Sequence, residues 1–169
     1  MNDVDILKKI EKKVLWLACW MIHNANHIRE NQDGLKVGGH QASSASIVSI
    51  MTALYFSFLR PEDRVAVKPH ASPVFHAIQY LSGLQTKEKI QNFRGFGGAQ
   101  SYPSRTKDID DVDISTGSVG LGVAMTSFIS LIQDYVARKK FYKNKPLGRM
   151  IALVGDAELD EVNVYECLQ

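Results

Sequence analysis

The feature that most constrains this sequence is an apolar run that stops abruptly at a glycine and a carboxylate. Residues 150–154, MIALV, are followed directly by Gly155 and Asp156. Buried parallel strands read as continuous apolar runs, and ligands of open α/β sheets lie outside the carboxyl ends of the strands. The pattern therefore predicts a strand that places Asp156 beside a metal ion or a phosphate-bearing ligand.

Length and composition favour an ordinary globular chain. Its 169 residues, of which 45% are hydrophobic and 22% charged, suit one domain over residues 1–169. The net charge of +2 is too small to favour nucleic acid. No segment approaches the ~20 apolar residues of a membrane span, and no signal-peptide core is apparent. Cys19 and Cys167 form no CxxC pair, which favours a reducing compartment. We therefore expect a cytoplasmic protein that binds neither nucleic acid nor membrane.

Apolar spacing divides the chain into helices and two short strands. Helical periodicity predicts helices over residues 4–30, 43–59 and 119–140. The short runs 64–68 and 150–154 predict strands of a parallel sheet. The fold class expected from this order is α/β, a parallel sheet flanked by helices.

Two acidic groups need separate interpretation. Residues 94–113 form a long loop, a kind of segment that is often functional, and its aspartates are Asp108, Asp110, Asp111 and Asp113. An EF-hand beginning at Asp108 fails because Val119 stands where the bidentate glutamate belongs, so we expect a solvated acidic loop. The second group is Asp156, Glu158, Asp160 and Glu161. Most such groups are solvated helix starts, but Asp156 differs because it follows a strand.

Four histidines carry competing interpretations. His40 lies in a glycine-bearing turn and His70 follows Pro69 at the end of a predicted strand, positions where binding residues concentrate. The alternative for each is a hydrogen-bonded structural histidine. His23 and His27 have the i,i+4 spacing of zinc ligands, but the glutamate of HExxH is absent between them. Structural roles are the better interpretation for that pair.

Three glycines open the last long predicted helix. The segment TGSVGLG, residues 116–122, would let backbone approach an anion at a helix start. Its spacing is GxxGxG rather than the dinucleotide fingerprint GxGxxG. Phosphate contact and simple helix capping both remain open for this segment.

Five motifs in order give the chain a family resemblance. They are GGHQAS (38–43), KPHASP (68–73), NFRGFGGAQSYPSR (92–105), STGSVGLG (115–122) and GDAELDE (155–161). Together they resemble the thiamine-diphosphate-dependent transketolase superfamily, and most nearly the amino-terminal domain of homodimeric pyruvate dehydrogenase E1 and transketolase-like proteins. The resemblance implies the diphosphate-side thiamine-diphosphate-binding fold.

The resemblance also implies roles for individual residues. Asp156 would ligate a divalent metal, with Mg²⁺ suiting an oxygen-rich site completed by phosphate, and His40 and His70 would be catalytic. The residues implied for cofactor binding are Ser43, Tyr102, Val119, Gly120, Gly155, Asp156, Ala157 and Glu158, the last two through their backbone. Three basic residues, Lys68, Arg94 and Arg105, would neutralise an anionic substrate or serve as solvated surface.

The same resemblance implies that parts of the enzyme lie outside this chain. The Asn-bearing half of the metal motif and the pyrimidine-binding domain would fall beyond Gln169. We therefore expect a domain truncated at its carboxyl end, inactive alone, that needs a missing half or partner subunit and forms a homo-oligomer. The parent reaction is either decarboxylation of a 2-oxo acid or ketol transfer. A non-catalytic assembly or regulatory module that keeps the fold is the alternative.

Overall fold

The computed structural model describes residues 3–30, 34–141 and 146–169. Their contacts divide the chain into two compact units. Unit 1 comprises Met1–Leu59 and His70–Val112, and unit 2 comprises Arg60–Pro69 and Asp113–Gln169. Unit 1 is therefore discontinuous in sequence, because a ten-residue segment of unit 2 separates its two parts. No helix in the described ranges combines the length and apolarity that crossing a bilayer requires.

The first helix of unit 1 confirms the prediction for residues 4–30. Helix α1 spans Asp3–His23 and continues as a π-helical turn, Asn24–Ile28. Its apolar residues recur at helical spacing and so form one buried face. The buried members of that face are Val14, Leu17, Ala18, Met21 and Ile22.

The segment predicted as one helix over 43–59 is instead broken. Helix α2 spans Gln41–Ala45, α3 spans Val48–Ala53, and a π-helical turn, Leu54–Phe58, follows. The break falls at a serine-rich stretch, where Ser46 Oγ donates to the carbonyl of Ser43 at 3.1 Å. Serine side chains that bond nearby backbone compete with helical hydrogen bonds, which explains the interruption.

Two further helices complete unit 1. Helix α4 spans Ser72–Leu81, is buried over most of its length, and packs against α1. Helix α5 spans Lys87–Gln91, and Thr86 caps it by accepting a hydrogen bond from the backbone N–H of Lys89. The segment after α5 contains no helix or strand up to residue 113, as the loop prediction stated.

Unit 2 contains the sheet, which has two strands. Strand β1 spans Arg64–Ala66 and β2 spans Met150–Ala152, and they pair in parallel with Val65 opposite Ile151. Helix α6, Leu121–Arg138, packs against both strands, and helix α7, Val162–Leu168, packs against α6. Both strands begin where they were predicted but are shorter. The predicted helix over 119–140 is confirmed, as is the mixture of helices with a parallel sheet.

An ion pair joins the two strands where they begin. The carboxylate of Asp63 accepts the backbone N–H of Arg149 at 2.8 Å and that of Arg60 at 2.9 Å, and the Arg149 guanidinium also donates to it. Asp63 is buried. The hydrogen bonds from Arg149 hold the pKa of Asp63 well below its ordinary value, although burial opposes them.

The apolar stripe that predicted α6 lies on the surface. Its residues Leu121, Met125, Phe128, Ile132 and Tyr135 are all exposed, and Ile132 keeps 60% of its accessible surface. Soluble monomers rarely expose contiguous apolar patches without a functional reason. Helical periodicity located this helix correctly but could not say what covers its apolar face.

Candidate functional site

Unit 1 contains a basic pocket of about 610 Å³. Its basic lining side chains are His27, Lys36, His40, His70 and Arg94. The hydroxyls of Ser44 and Tyr102 also line it, and no aspartate or glutamate does so among the described residues. Both histidines predicted to be catalytic therefore lie in one pocket that carries an excess of positive charge.

Tight glycine geometry places His40 in the pocket wall. The backbone N–H of Gly38 donates to Asn26 Oδ1 at 2.6 Å, and a Cβ on Gly38 would collide with the carbonyl of Ile22. Gly39 has a φ of +86°, in the left-handed region that glycine adopts readily. The GGH turn is thereby held against the end of α1, and His40 follows at the start of α2.

A buried serine fixes the turn that carries His70. Ser44 Oγ donates to the carbonyl of His70 at 3.2 Å, and Ser44 is 1% exposed. Ser44 lines the pocket, whereas Ser43, the residue named from the sequence, does not. The i,i+4 spacing of His40 and Ser44 on a helix was the available signal for this arrangement. A cofactor role for Ser43 stays a prediction.

Arg94 presents a partly desolvated cation to the pocket. Its guanidinium donates to the carbonyl of Val37 at 2.6 Å and lies 5.5 Å from the ring centroid of Phe93. The buried Nε has no hydrogen-bond partner among the described residues. Burial lowers the pKa of Arg94 from its ordinary value. A guanidinium in a pocket that no described aspartate or glutamate lines is suited to holding an anion.

Unit 2 ties its two glycine turns together through one carboxylate. Glu158 accepts the backbone N–H of Gly155 at 2.7 Å and that of Gly120 at 3.3 Å. Gly120 has a φ of +78°, and a Cβ there would collide with the side chain of Asn163. Glu158 is 6% exposed, so the expectation that the acidic group is solvated is wrong for this residue. Burial follows because its carboxylate joins the two turns.

The remaining predicted contacts with cofactor and metal lie near this junction. Asp156 begins a 3₁₀ turn, Asp156–Asp160, and its exposed carboxylate has no hydrogen-bond or ion-pair partner within the described ranges. A Cβ on Gly155 would lie 3.1 Å from Lys68 Nζ, so that ammonium group borders the glycine backbone. Ala157 is exposed, and the carbonyl of Val119 accepts Asn163 Nδ2 at 3.3 Å.

A third cluster, in unit 1, was missed from the sequence. One ligand atom each from His76, Asp108 and Asp110 lies within 4.8 Å of the others, which could suit a metal ion. Both His76 nitrogens and all four carboxylate oxygens already make hydrogen bonds within unit 1. The solvated-loop expectation is wrong for Asp110, which is 7% exposed. We interpret the cluster as structural, because each candidate ligand atom already makes a hydrogen bond within unit 1.

Comparison with known proteins finds sequence similarity to pyruvate dehydrogenase E1 components. The pyruvate dehydrogenase E1 component of Mycolicibacterium smegmatis is 28% identical over 95% of this chain, and that of Mycobacterium tuberculosis is equally similar. The chain resembles one region of pyruvate dehydrogenase E1. The E1 component of Escherichia coli K12 is 26% identical over the same share. The chain spans 18% of the length of these curated relatives, and no protein-family model matches it.

Proposed function

We propose that this chain supplies the diphosphate- and metal-binding part of a thiamine-diphosphate enzyme that acts on a 2-oxo acid, as pyruvate dehydrogenase E1 does. Ketol transfer between sugar phosphates is the alternative reaction of the same enzyme class. The basic pocket of unit 1 carries the proposal, because it unites the two histidines implied by the motifs with cations for an anionic substrate. The resemblance to E1 components over 95% of the chain supports it.

The side chains that line the pocket would have different roles, according to their chemistry. Arg94 and Lys36 offer N–H donors and positive charge to a carboxylate or phosphate. His40 and His70, both exposed to the pocket solvent, can exchange protons with a bound substrate. Tyr102 adds a hydroxyl that can donate or accept. Bound thiamine diphosphate would supply the carbanion stabilisation that this set of side chains lacks.

The residues of unit 2, taken by themselves, have the chemistry of a site for a diphosphate and a metal ion. The exposed carboxylate of Asp156 is the kind of oxygen ligand that Mg²⁺ takes, and Mg²⁺ commonly binds through one or two carboxylates plus phosphates. Lys68 borders the Gly155 backbone and suits a phosphate oxygen. The Glu158 carboxylate already accepts the backbone N–H groups of Gly120 and Gly155. Glu158 would therefore contact the diphosphate through its backbone, as Ala157 would.

One protein carboxylate is a weak site for Mg²⁺, which keeps its waters unless several ligands replace them. We therefore propose that further ligands and the cofactor-activating glutamate come from another part of the enzyme or from a partner subunit. On this proposal the chain alone does not decarboxylate pyruvate.

The test of the pocket is anion binding measured residue by residue. Pyruvate, fructose 6-phosphate and thiamine diphosphate are titrated into ¹⁵N-labelled protein, and amide shifts are followed at His40, His70 and Arg94. Arg94→Met should weaken binding of the anion that fits by at least about tenfold, since charge-assisted hydrogen bonds contribute ~1.5–3 kcal/mol. Arg138→Met, on the exposed end of α6, is the matched control and should leave affinity unchanged.

Shifts confined to residues outside the pocket, or equal binding by both arginine variants, would contradict the proposal. The non-catalytic assembly module would then be the better account, and the exposed apolar stripe of α6 favours it. That stripe is also the surface through which we propose homo-oligomerisation. Concentration-dependent self-association without anion binding is the result expected of such a module.

A further inference from the structure

The turn Gln100–Ser104 places Tyr102 in the wall of the basic pocket, and it has no helix or strand to hold it. Its ends are instead held by Asp108. One carboxylate oxygen accepts the backbone N–H of Gln100 and the other accepts that of Ser104, both at 2.9 Å. These two bonds close the turn on itself. They do not attach it to the helical core of unit 1.

The buried ring of Pro103 contributes to that attachment, and His76 adds a hydrogen bond to it. His76 lies on α4, is fully buried, and its ring is packed edge-on between the rings of Phe75 and Phe93. Its Nε2 lies 2.9 Å from the carbonyl oxygen of Gln100. A carbonyl oxygen can only accept, so Nε2 must carry a proton and donate. The hydrogen bond therefore fixes one end of the turn to the most buried helix of the unit.

The opposite ring nitrogen shows how this geometry is maintained. His76 Nδ1 lies 2.7 Å from Asp110 Oδ2, and Gln85 Nε2 donates to the other oxygen of the same carboxylate. A carboxylate and a carbonyl oxygen both accept, so the two ring nitrogens facing them must both carry protons. Nδ1–H donates to Asp110, and this bond orients the doubly protonated ring. In that orientation Nε2–H points at the carbonyl of Gln100.

We propose that His76 is a positioning residue that holds Tyr102 in the pocket wall through the hydrogen bond from Nε2 to the carbonyl of Gln100. His76 does not line the pocket, and its effect on a ligand is transmitted through the backbone of the turn. The ligand-binding part of this inference rests on the proposed function, whereas the ordering of the turn does not. It assigns a purpose to a buried histidine that the five family motifs leave out.

Two amide substitutions test the hydrogen bonds of the two His76 ring nitrogens separately. The amide nitrogen of Gln reaches the place of Nε2, and that of Asn, one carbon shorter, reaches the place of Nδ1. His76→Gln should therefore keep the bond to Gln100, and His76→Asn should lose it, while both lose the same ring packing. Each variant is thus the control for the other, and equal losses of global stability do not affect the comparison.

Amide hydrogen exchange at Gln100 and Ser104 gives the first readout. We expect exchange at both to rise about tenfold in His76→Asn and to stay near wild type in His76→Gln, since one net hydrogen bond is worth roughly a factor of ten. Inorganic pyrophosphate is the pocket probe, and its Kd should rise about five- to tenfold in His76→Asn only. Asp108→Asn should also speed exchange at Gln100 and Ser104.

The outcomes are separable. If amide exchange at Gln100 and Ser104 is equally fast or equally slow in the two His76 variants, the positioning role is wrong. If wild-type protein binds no pyrophosphate yet the turn loosens in His76→Asn alone, the proposed function fails and the positioning role stands. Should neither variant fold, the wild-type ring decides: a slowly exchanging Nε2 proton on His76 supports the inference, and an unprotonated Nε2 overturns it.

Discussion

Replacing Glu158 by glutamine should loosen the junction of the two glycine turns in unit 2. The buried carboxylate accepts hydrogen bonds from Gly155 and Gly120. Glutamine keeps one acceptor oxygen, which suits the shorter bond to Gly155. Its NH₂ group would then face the backbone N–H of Gly120, so that a donor meets a donor. The side chain has almost no solvent contact through which to relieve this.

The magnitude follows from these two bonds. A hydrogen bond to a charged group contributes about 1.5–3 kcal/mol, and a buried donor left unpaired costs about 1–3 kcal/mol. The bond to Gly120 is the longer one, at 3.3 Å, so the lower ends of these ranges apply. We expect the free energy of unfolding to fall by about 2 kcal/mol, which moves the urea midpoint by roughly 1 M for an m-value of ~2 kcal/mol/M.

Urea unfolding at neutral pH measures the loss, and amide hydrogen exchange at Gly120 and Gly155 locates it. Glu166→Gln, at an exposed position of α7, is the matched control and should change neither quantity. A loss below ~0.5 kcal/mol for Glu158→Gln, within the usual range for surface substitutions, combined with unchanged exchange at Gly120, would refute the reasoning.

Two further predictions concern charged groups of unit 2. Because Arg149 lowers the pKa of Asp63, the carboxylate stabilises the fold above its unfolded-state pKa of ~3.9, and that stability is lost as pH falls toward the lowered pKa. Asp63→Asn should abolish this acid slope in a urea titration between pH 5 and 2. Asp156→Asn should remove any Mg²⁺ dependence of thiamine diphosphate binding in a calorimetric titration; Asp160→Asn, on the same exposed turn, should retain it.

The sequence was informative wherever a local pattern decides the outcome. Periodicity located α1 and α6, and the two short apolar runs located strands that pair in parallel. Neither pattern shows which side-chain hydrogen bonds or packing partners a segment finds in the folded chain. The helix predicted over 43–59 breaks because serine hydroxyls offer its backbone other partners. The apolar face of α6 is exposed because periodicity identifies a face without identifying its cover.

Site residues divide in the same way. His40, His70 and Tyr102 could be named from motif positions, and all three line the basic pocket. The burial of Asp110 and of Glu158 could not be predicted, because each is an acidic residue in an acidic run and its burial depends on a partner distant in sequence. For Asp110 that partner is His76, and for Glu158 it includes Gly120. Such pairs require the assembled fold.

The discontinuity of unit 1 has a consequence for how the pocket is assembled. His40 and Ser44 come from its first part, and His70, Arg94 and Tyr102 from its second. The ten residues between the parts contain β1, whose partner β2 lies more than eighty positions further along the chain. Joining the two parts by a short artificial loop in place of Arg60–Pro69 would remove β1 from unit 2. A shortened protein designed in this way to keep the pocket would therefore lack the two-stranded sheet.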